Sequence, residues 1–214
     1  MKSRTRYAGL FLLVLILGGS CERKTPETTP PADVQAYIQQ IETQRREKDE
    51  FFKNSDASPL LPEDRKTFTG LHYYPVDPEL RFEGPIIRYD PPVPDTIMGT
   101  RGGDIRPAHK YGYFEFTYRG KTYRLQIYKI LNSKPGYEDY LFLGFTDETS
   151  GKETYGGGRY IDLVENPQNH YVVDFNLAYN PYCAYNPNYS CAIPPEENHL
   201  PFPVRAGEKI FKNH

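Results

Sequence analysis

The sequence contains no tryptophan, and only three of its 214 residues are cysteine. Three cysteines are too few for a scaffold that is held together mainly by disulfides. Neither sign of charge is in clear excess, because 26 basic side chains stand against 28 acidic ones. This balance excludes the basic surface that nucleic acid requires, so we expect no nucleic-acid partner. Tyrosine and proline are instead abundant, with 19 and 20 residues, which is typical of short strands joined by rigid turns.

The chain also has no apolar run of membrane-spanning length. Its clearest run, Leu10 to Leu17, follows three basic side chains and is far shorter than the roughly 20 residues of a spanning helix. This pattern predicts a cleaved export signal over residues 1–20. Small residues stand directly before Cys21, as in the lipobox of bacterial lipoproteins, although Gly18 occupies a place where leucine is usual. The sequence therefore predicts lipidation of Cys21. The alternative is an ordinary secretory signal followed by an incidental cysteine.

A lipid on Cys21 predicts a membrane-anchored lipoprotein of the bacterial cell envelope, on its periplasmic or surface face. The lipid itself is the expected membrane partner, because a protein with more acidic than basic side chains gains nothing from anionic lipid. Residues 21–32 are polar and rich in proline and threonine, so we expect a spacer there. Residues 33–214 are predicted to form a single β-rich domain, since a hydrophobic fraction of 38% can supply one core.

One helix and several strands are predicted within that domain. Apolar residues recur at helical spacing from Val34 to Ile41, which predicts a surface helix over about residues 33–53. Polar and apolar residues alternate from Tyr113 to Ile130 on both sides of a turn at Gly120, which predicts a β-hairpin. Weaker alternation predicts further strands at 66–74, 80–89, 96–100, 140–146, 160–164 and 171–175. Short strands at close spacing predict a mainly β fold, α+β at most, built as an antiparallel sandwich or a partly closed barrel.

The C-terminal segment 174–203 follows neither the helical nor the strand period. It contains two Asn-Pro turns, a Pro-Pro pair and many aromatic residues. A segment of this length without regular structure is uncommon in a compact domain unless it is functional or tied down. We therefore expect the functional residues mainly in and beside this irregular segment.

Several blocks of the sequence resemble a known family. They include EDYLFLGFTDETSGKETYGGGRYIDL, DFNLAYNPYCAYNPNYSCAIPPEENHLPFPV and RAGEK, and upstream EKDEFFKNSDASPLLPEDRKTFTGLHYYPVDPELRF and GTRGGDIRPAHKYGYFEFTYRGKTYRL. Together they are similar to the bacterial family catalogued as domain of unknown function 1684, over roughly residues 38–209. The resemblance implies a predominantly β domain in bacteria, often exported and lipid-anchored. It assigns no catalytic residues, because the biochemical role of the family is not established.

Cys183 and Cys191 are eight positions apart in the irregular segment. In an exported protein such a pair predicts a disulfide that closes the loop between them. If Cys21 carries the lipid, these two are the remaining cysteines, and an even number favours the disulfide. Two alternatives are a metal site that adds His199 and a pair of reduced, reactive thiols. The paired ligand spacing of a zinc site is absent, so we predict no metal, and nothing in the sequence implies a cofactor.

Arg159 ends a glycine-rich loop that starts at Tyr155. Backbone N–H groups of such a loop can hold an anion with arginine as a partner, although glycines before a strand also mark bulges or close packing. Asp174 and Glu197 are candidate acid–base residues, with Asn176 to orient a substrate. The alternative is that Asp174 and Asn176 cap turns, while Glu197 pairs with an arginine to anchor the loop.

Four tyrosines of the irregular segment invite a carbohydrate-binding hypothesis: Tyr179, Tyr182, Tyr185 and Tyr189. Their faces can stack on sugars while neighbouring asparagine amides bond hydroxyl groups. Tryptophan, the favoured sugar platform, is absent, and the alternative is that these tyrosines pack into the loop with their hydroxyls bonded.

The sequence thus predicts an envelope lipoprotein that binds a small molecule or glycan at the mouth of a β-rich domain. Its candidate binding residues are Arg159, Asn176, Tyr179 and Tyr185. One alternative is an envelope hydrolase that uses Arg159, Asp174 and Glu197. Another is a purely structural role in which the irregular segment plugs the core.

Overall fold

The computed structural model describes residues 30–131 and 135–212 of the chain. The predicted signal peptide, Cys21 and most of the predicted spacer lie outside the described residues. No helix in the described part of the chain is both long enough and apolar enough to span a membrane.

The predicted N-terminal helix is present as α1, Val34–Asn54. The Asp33 carboxylate accepts a hydrogen bond from the Ala36 N–H at 2.9 Å and so caps the first turn. One face of α1 packs on the rest of the molecule through its buried residues Tyr37, Ile41, Arg45 and Phe52. The thin apolar stripe of the sequence is therefore a docking face on the domain surface.

The strand predicted at 66–74 is wrong. Its beginning belongs to a short helix, α2, Pro62–Thr67, where proline at the first helical position favours the helical turn. The rest is extended and pairs only at an isolated bridge between Tyr73 and Glu208. This part of the chain is extended, as its alternating pattern indicates. It is not a strand, because over most of its length no neighbouring strand of the described chain pairs with it.

Eight strands occur in the described residues. They are β1, Arg81–Gly84; β2, Ile86–Met98; β3, Ile105–Tyr118; β4, Lys121–Ile130; β5, Tyr140–Asp147; β6, Arg159–Val164; β7, Tyr171–Asp174; and β8, His199–Leu200. β1 and β7 form a small antiparallel sheet, and β2 to β6 form a larger antiparallel sheet in sequence order. β8 adds to β5 in parallel. The predicted hairpin is β3–β4, turning at Arg119 and Gly120, which both have positive φ.

The main core lies between the two sheets. Phe114 and Phe116 on β3 and Leu125 on β4 point to one face by the strand alternation, and they meet Phe82 of β1 and Phe175 after β7. The Phe82 and Phe116 ring centroids are 4.6 Å apart. Within the described chain β2 and β6 remain the edges of the larger sheet. The fold is therefore mainly β and consistent with an antiparallel sandwich, and the barrel we allowed as an alternative is not closed.

The irregular segment covers the opposite face of the larger sheet. It contains three short 3-10 turns, the first at 175–177, and the two-residue strand β8. Phe142 and Tyr160 of the sheet pack there against Ala192 of the segment. β5 is consequently buried on both faces, and the segment brings its polar and aromatic side chains next to β5 and β6.

Candidate functional site

A large open cleft lies where β5 and β6 meet α1 and the irregular segment. Its volume is about 970 Å³. Tyr140 of β5 and Tyr160, Asp162 and Val164 of β6 alternate along their strands, so they share the face that forms its floor. The cleft is lined by six tyrosines, namely Tyr137, Tyr140, Tyr160, Tyr179, Tyr182 and Tyr189. We refer to it as the tyrosine cleft.

Two tyrosines of the cleft hold the carboxylate of Asp162. Its Oδ1 atom accepts hydrogen bonds from the hydroxyls of Tyr179 at 2.6 Å and Tyr140 at 3.0 Å. Its Oδ2 atom has no hydrogen-bond partner among the described residues. Two tyrosines thus hold the carboxylate of this cleft-lining residue in place through one oxygen and leave the other without a donor from the described part of the chain.

The aromatic rings of the cleft meet edge to face. The ring centroids of Tyr182 and Tyr189 are 5.3 Å apart, and those of Tyr160 and Tyr179 are 5.8 Å apart. Tyr182 and Tyr189 are 39% and 37% exposed, so large parts of both rings remain open to solvent. Exposed rings in a concave surface are the kind of platform on which a flat or ring-shaped ligand stacks.

Both basic side chains of the cleft are already paired. Lys48 donates to Glu208 at 2.5 Å, and its ammonium lies 4.7 Å from the centre of the Tyr179 ring. Arg106 forms an ion pair with Asp104 at 2.8 Å. The basic groups therefore fix the walls of the cleft, while Asp162 keeps an oxygen available for a ligand.

The deeper hydroxyls of the cleft remain protonated at neutral pH. Burial, followed by the nearby carboxylate of Asp162, raises the pKa of Tyr140 well above its ordinary value. Burial likewise raises the pKa of Tyr160 and Tyr179. These groups therefore act as neutral hydrogen-bond donors.

The structure separates the candidate tyrosines of the irregular segment. Tyr179, Tyr182 and Tyr189 line the cleft. Tyr185 is fully buried, packs edge to face on Phe52 of α1, and donates its hydroxyl to the Glu208 carboxylate at 2.5 Å. Tyr185, predicted to bind, instead anchors α1 to the irregular segment.

Arg159 does not face the cleft. It is 1% exposed and forms an ion pair with Asp147 at 2.9 Å, and it also donates to the Val204 carbonyl at 2.8 Å. Two of the glycines before it are closely packed, because a Cβ would lie 2.5 Å from the Tyr155 ring at Gly157 and 2.6 Å from the Phe145 carbonyl oxygen at Gly158. Burial lowers the pKa of Arg159, and Asp147 opposes this shift. The glycine-rich loop and Arg159 are therefore closely packed inside the protein. This agrees with the close-packing alternative for these glycines and not with an anion site.

The candidate acid–base residues lie in separate networks. Asp174 accepts from the Tyr37 hydroxyl at 2.7 Å and the Asn176 N–H at 2.9 Å, capping the turn that follows β7. Asn176 is buried and donates to the Asp77 carbonyl at 2.7 Å. Glu197 pairs instead with Lys110 at 2.8 Å. No contact joins Asp174, Glu197 and Arg159 among the described residues.

Cys183 and Cys191, the predicted disulfide pair, lie next to each other, and both are free thiols. The Cys183 N–H donates to Cys191 Sγ at 3.1 Å. The predicted disulfide is thus not formed in this structure. His199 lies elsewhere, within 3.1 Å of the Thr146 hydroxyl. The described residues contain no group of three or more His, Cys, Asp and Glu side chains placed to hold a metal ion.

The sequence analysis missed Asp162 and the two tyrosines Tyr140 and Tyr160. All three lie on strands that the alternation did predict. A signal was available, because Asp162 is a polar residue between the apolar Ile161 and Leu163, on the opposite face of β6. Which polar strand residues lie under a cleft depends on the segment that packs over them.

Comparisons with known proteins identify relatives but no activity. The family model described as "Protein of unknown function (DUF1684)" matches residues 66–209. A similar solved structure is the solution NMR structure of the uncharacterized protein from gene locus rrnAC0354 of Haloarcula marismortui. It is 32% identical, with a TM-score of 0.63, over 85% of this chain and 98% of that chain. The curated proteins contain no match to the chain.

Proposed function

Because the chain belongs to the DUF1684 family of unknown function, we propose a role from its own geometry. The protein is a cell-envelope lipoprotein whose tyrosine cleft binds a small molecule or a glycan. The observation that carries the binding role is the cleft itself, which is lined by six tyrosines and by a carboxylate that two of them hold in place.

The size and chemistry of the cleft support this role. Small-molecule sites commonly enclose about 300–1,000 Å³ and combine apolar walls with a few polar groups, and this cleft has about 970 Å³. The exposed rings of Tyr182 and Tyr189 can stack on the apolar face of a sugar ring or on another flat group. Asp162 Oδ2 can accept a hydrogen bond from a ligand hydroxyl or amine. Together these groups can recognise one apolar face and one polar edge of a ligand.

Binding is better supported than hydrolysis by the candidate residues. A hydrolase built on Arg159, Asp174 and Glu197 needs these three groups to converge on one substrate. Arg159 is instead buried against Asp147, and the two carboxylates have different partners. We therefore do not propose the hydrolase.

The binding role is tested by ligand titration. Tyrosine fluorescence serves as the signal, since the chain contains no tryptophan. Purified protein is titrated with a panel of soluble oligosaccharides and aromatic small molecules. For a ligand that binds, Tyr182→Ala should lower the affinity about 2- to 13-fold, because one aromatic contact contributes about 0.5–1.5 kcal/mol.

Two matched variants control this titration. Tyr182→Phe keeps the ring and should retain most of the affinity. Tyr113→Ala removes a tyrosine of β3 that does not line the cleft and should leave binding unchanged. Equal losses in all three variants, or binding that ignores Tyr182→Ala, would contradict ligand binding in the cleft.

The lipoprotein part of the proposal is supported by the sequence around Cys21. Cells that express the full chain are labelled with a radioactive or clickable fatty acid. The natural protein should become labelled and partition with membranes, whereas Cys21→Ser should lose both properties. Cys183→Ser is the matched control and should remain labelled. Release of unlabelled natural protein into the soluble fraction would support the ordinary secretory signal instead.

A further inference from the structure

The two cysteines of the irregular segment form a close pair at one wall of the cleft. Cys183 and Cys191 are both free, and the Cys183 N–H donates to Cys191 Sγ at 3.1 Å. The sulfur of Cys191 therefore lies next to the main chain of Cys183. A dithiol at such short range can close to a disulfide without a large movement of the chain.

Polar groups surround this dithiol. The Tyr155 hydroxyl donates to Cys183 Sγ at 3.8 Å, and the Cys191 N–H donates to the Thr100 hydroxyl at 3.0 Å. The hydrogen bond from the Cys191 thiol, aided by Tyr155 and Thr100 and opposed by burial, lowers the pKa of Cys183 to about 6. The same contact with Cys183, together with burial, raises the pKa of Cys191. The contact between the two sulfurs therefore favours the thiolate form of Cys183 and the thiol form of Cys191.

The two sulfurs differ in access. Cys183 is only 9% exposed, whereas Cys191 is half-buried and lines the tyrosine cleft. A reagent in the cleft therefore meets Cys191 first. Thiolate character combined with access is what makes cysteines reactive.

We propose that Cys183 and Cys191 form a redox-active dithiol that exchanges with small disulfides entering the cleft. Cys191 passes its proton to Cys183 and attacks one sulfur of the incoming disulfide, which breaks the small S–S bond and releases the first small thiolate. Cys183 then gives this proton to the released thiolate and attacks the Cys191 sulfur, which breaks the mixed disulfide and releases the second small thiolate. Overall, one protein thiol, one protein thiolate and one small disulfide become one protein disulfide, one small thiol and one small thiolate. The protein is oxidised and the small disulfide is reduced.

Oxidation would act on the wall of the cleft. Tyr182 directly precedes Cys183, and Tyr189 lies two residues before Cys191, so the disulfide ties together the backbone that carries both exposed rings. The exchange chemistry itself does not depend on which ligand the cleft binds. A failed ligand titration would therefore leave the dithiol proposal standing, and the reverse also holds.

The proposal is tested with oxidised glutathione and peptide mass mapping of the full chain, which follows the 183 and 191 thiols separately from Cys21. The reduced natural protein should lose the mass of two hydrogen atoms between these cysteines and retain no glutathione. Cys183→Ser should stop at glutathione bound to Cys191, because the resolving thiol is missing. Cys191→Ser should retain none, because the remaining Cys183 is buried. Denaturation curves confirm that each variant is folded, and Cys183→Ala replaces Cys183→Ser if it is not.

The pH dependence of alkylation gives a second measurement. The rate of iodoacetamide modification at the pair should rise with a midpoint near pH 6. In Cys191→Ser and Cys191→Ala the ionisation of Cys183 is followed in the folded protein by the ultraviolet absorbance of its thiolate. Serine keeps a hydroxyl donor and should hold the midpoint low, whereas alanine should move it upward. Two results would overturn the proposal: thiols that react only after global unfolding, or a Cys183–Cys191 disulfide that excess dithiothreitol cannot reduce in the folded protein.

Discussion

At the scale of single residues, the buried Arg159 shows how a side chain can look like a ligand group and be structural. Its partners are Asp147 and backbone carbonyls of the C-terminal segment, including those of Val204 and Ala206. The ion pair side chains are 1% and 0% exposed, so water cannot replace either partner. Arg159 therefore joins β5, β6 and the C-terminal segment at one point.

Replacing Arg159 by methionine should destabilise the protein strongly. Arg159→Met leaves the Asp147 carboxylate buried without its cation, a loss that costs about 3–5 kcal/mol in comparable pairs. This loss is measured as the change in the free energy of unfolding, obtained from urea denaturation. Arg205→Met is the matched control, because Arg205 pairs with Glu153 at the surface, and its denaturation midpoint should not change measurably. A similar small effect in both variants would contradict a structural role for Arg159.

At the scale of elements, the irregular segment is held to the sheet by one side chain, Asn198. Its amide makes the hydrogen bonds that a peptide group of a neighbouring strand would otherwise make. Adjacent strands β4 and β5 pair directly only at Tyr128 and Phe142. Beyond that point the buried Asn198 amide accepts from the Gln126 N–H at 2.6 Å and donates to the Gln126 carbonyl at 2.9 Å. It also donates to the Gly144 carbonyl at 2.8 Å. Asn198 therefore bridges the two strands as a peptide group would.

Removing this bridge should destabilise the sheet at its centre. Asn198→Ala leaves three buried backbone groups without partners, and each such group costs about 1–3 kcal/mol. Partial relaxation makes a total of about 3 kcal/mol the expected loss of unfolding free energy. Amide exchange at Gln126 should also become faster. Asn188→Ala, in an exposed part of the same segment, should stay within about 0.5 kcal/mol of the natural protein. Equal stability of both variants would contradict the bridge.

A second junction joins the β2–β3 loop to the segment beside the cleft. Asp104 forms an ion pair with Arg106 at 2.8 Å and accepts a hydrogen bond from the Ser190 hydroxyl. The bond from Arg106, then that from Ser190, lowers the pKa of Asp104 from 3.8 to about 2. The folded protein therefore favours the ionised carboxylate.

The contribution of this junction should depend on pH. A depressed folded-state pKa means that the stabilisation is present above the ordinary pKa of 3.8 and is lost as the pH falls toward about 2. The difference in unfolding free energy between the natural protein and Asp104→Asn should accordingly be largest at neutral pH and shrink in acid. Asp56→Asn, at an exposed position, should show no such trend. A constant difference across the acid range would show that the charge of Asp104 contributes nothing.

At the scale of the whole molecule, local patterns predicted the elements better than their assembly. The hairpin of β3 and β4 was clear because its alternation and its turn lie together in sequence. Only some of the residues that line the cleft were predicted from the sequence. Tyr179 lines it, but Tyr185, six positions later in the same segment, is buried against Phe52 of α1. In a segment without a regular period, the direction of each side chain is set by contacts distant in sequence, so spacing could not separate the two.

The many buried tyrosines should make the stability of the whole fold depend on alkaline pH. Burial, helped by the Glu208 carboxylate, raises the pKa of Tyr185, and burial together with Glu153 raises the pKa of Tyr74 to about 12. Other buried tyrosines shift in the same direction, including Tyr37, Tyr128 and Tyr160. Folding thus favours the neutral hydroxyl at many sites. The stabilisation is complete below the ordinary pKa of 10.0 and is lost as the pH rises above it.

Alkaline titration should therefore unfold the protein cooperatively. Above pH 10 each buried tyrosine removes about 1.4 kcal/mol of unfolding free energy per pH unit, so several together exceed the stability of an ordinary domain within a short pH interval. A large part of the tyrosinate absorbance should then appear together with the loss of circular dichroism, and it is readily measured because no tryptophan absorbs beside it. The same titration in concentrated denaturant is the control and should show one broad step near pH 10. If the folded protein titrates in that same broad step while its circular dichroism persists, the tyrosines are not buried as this structure places them.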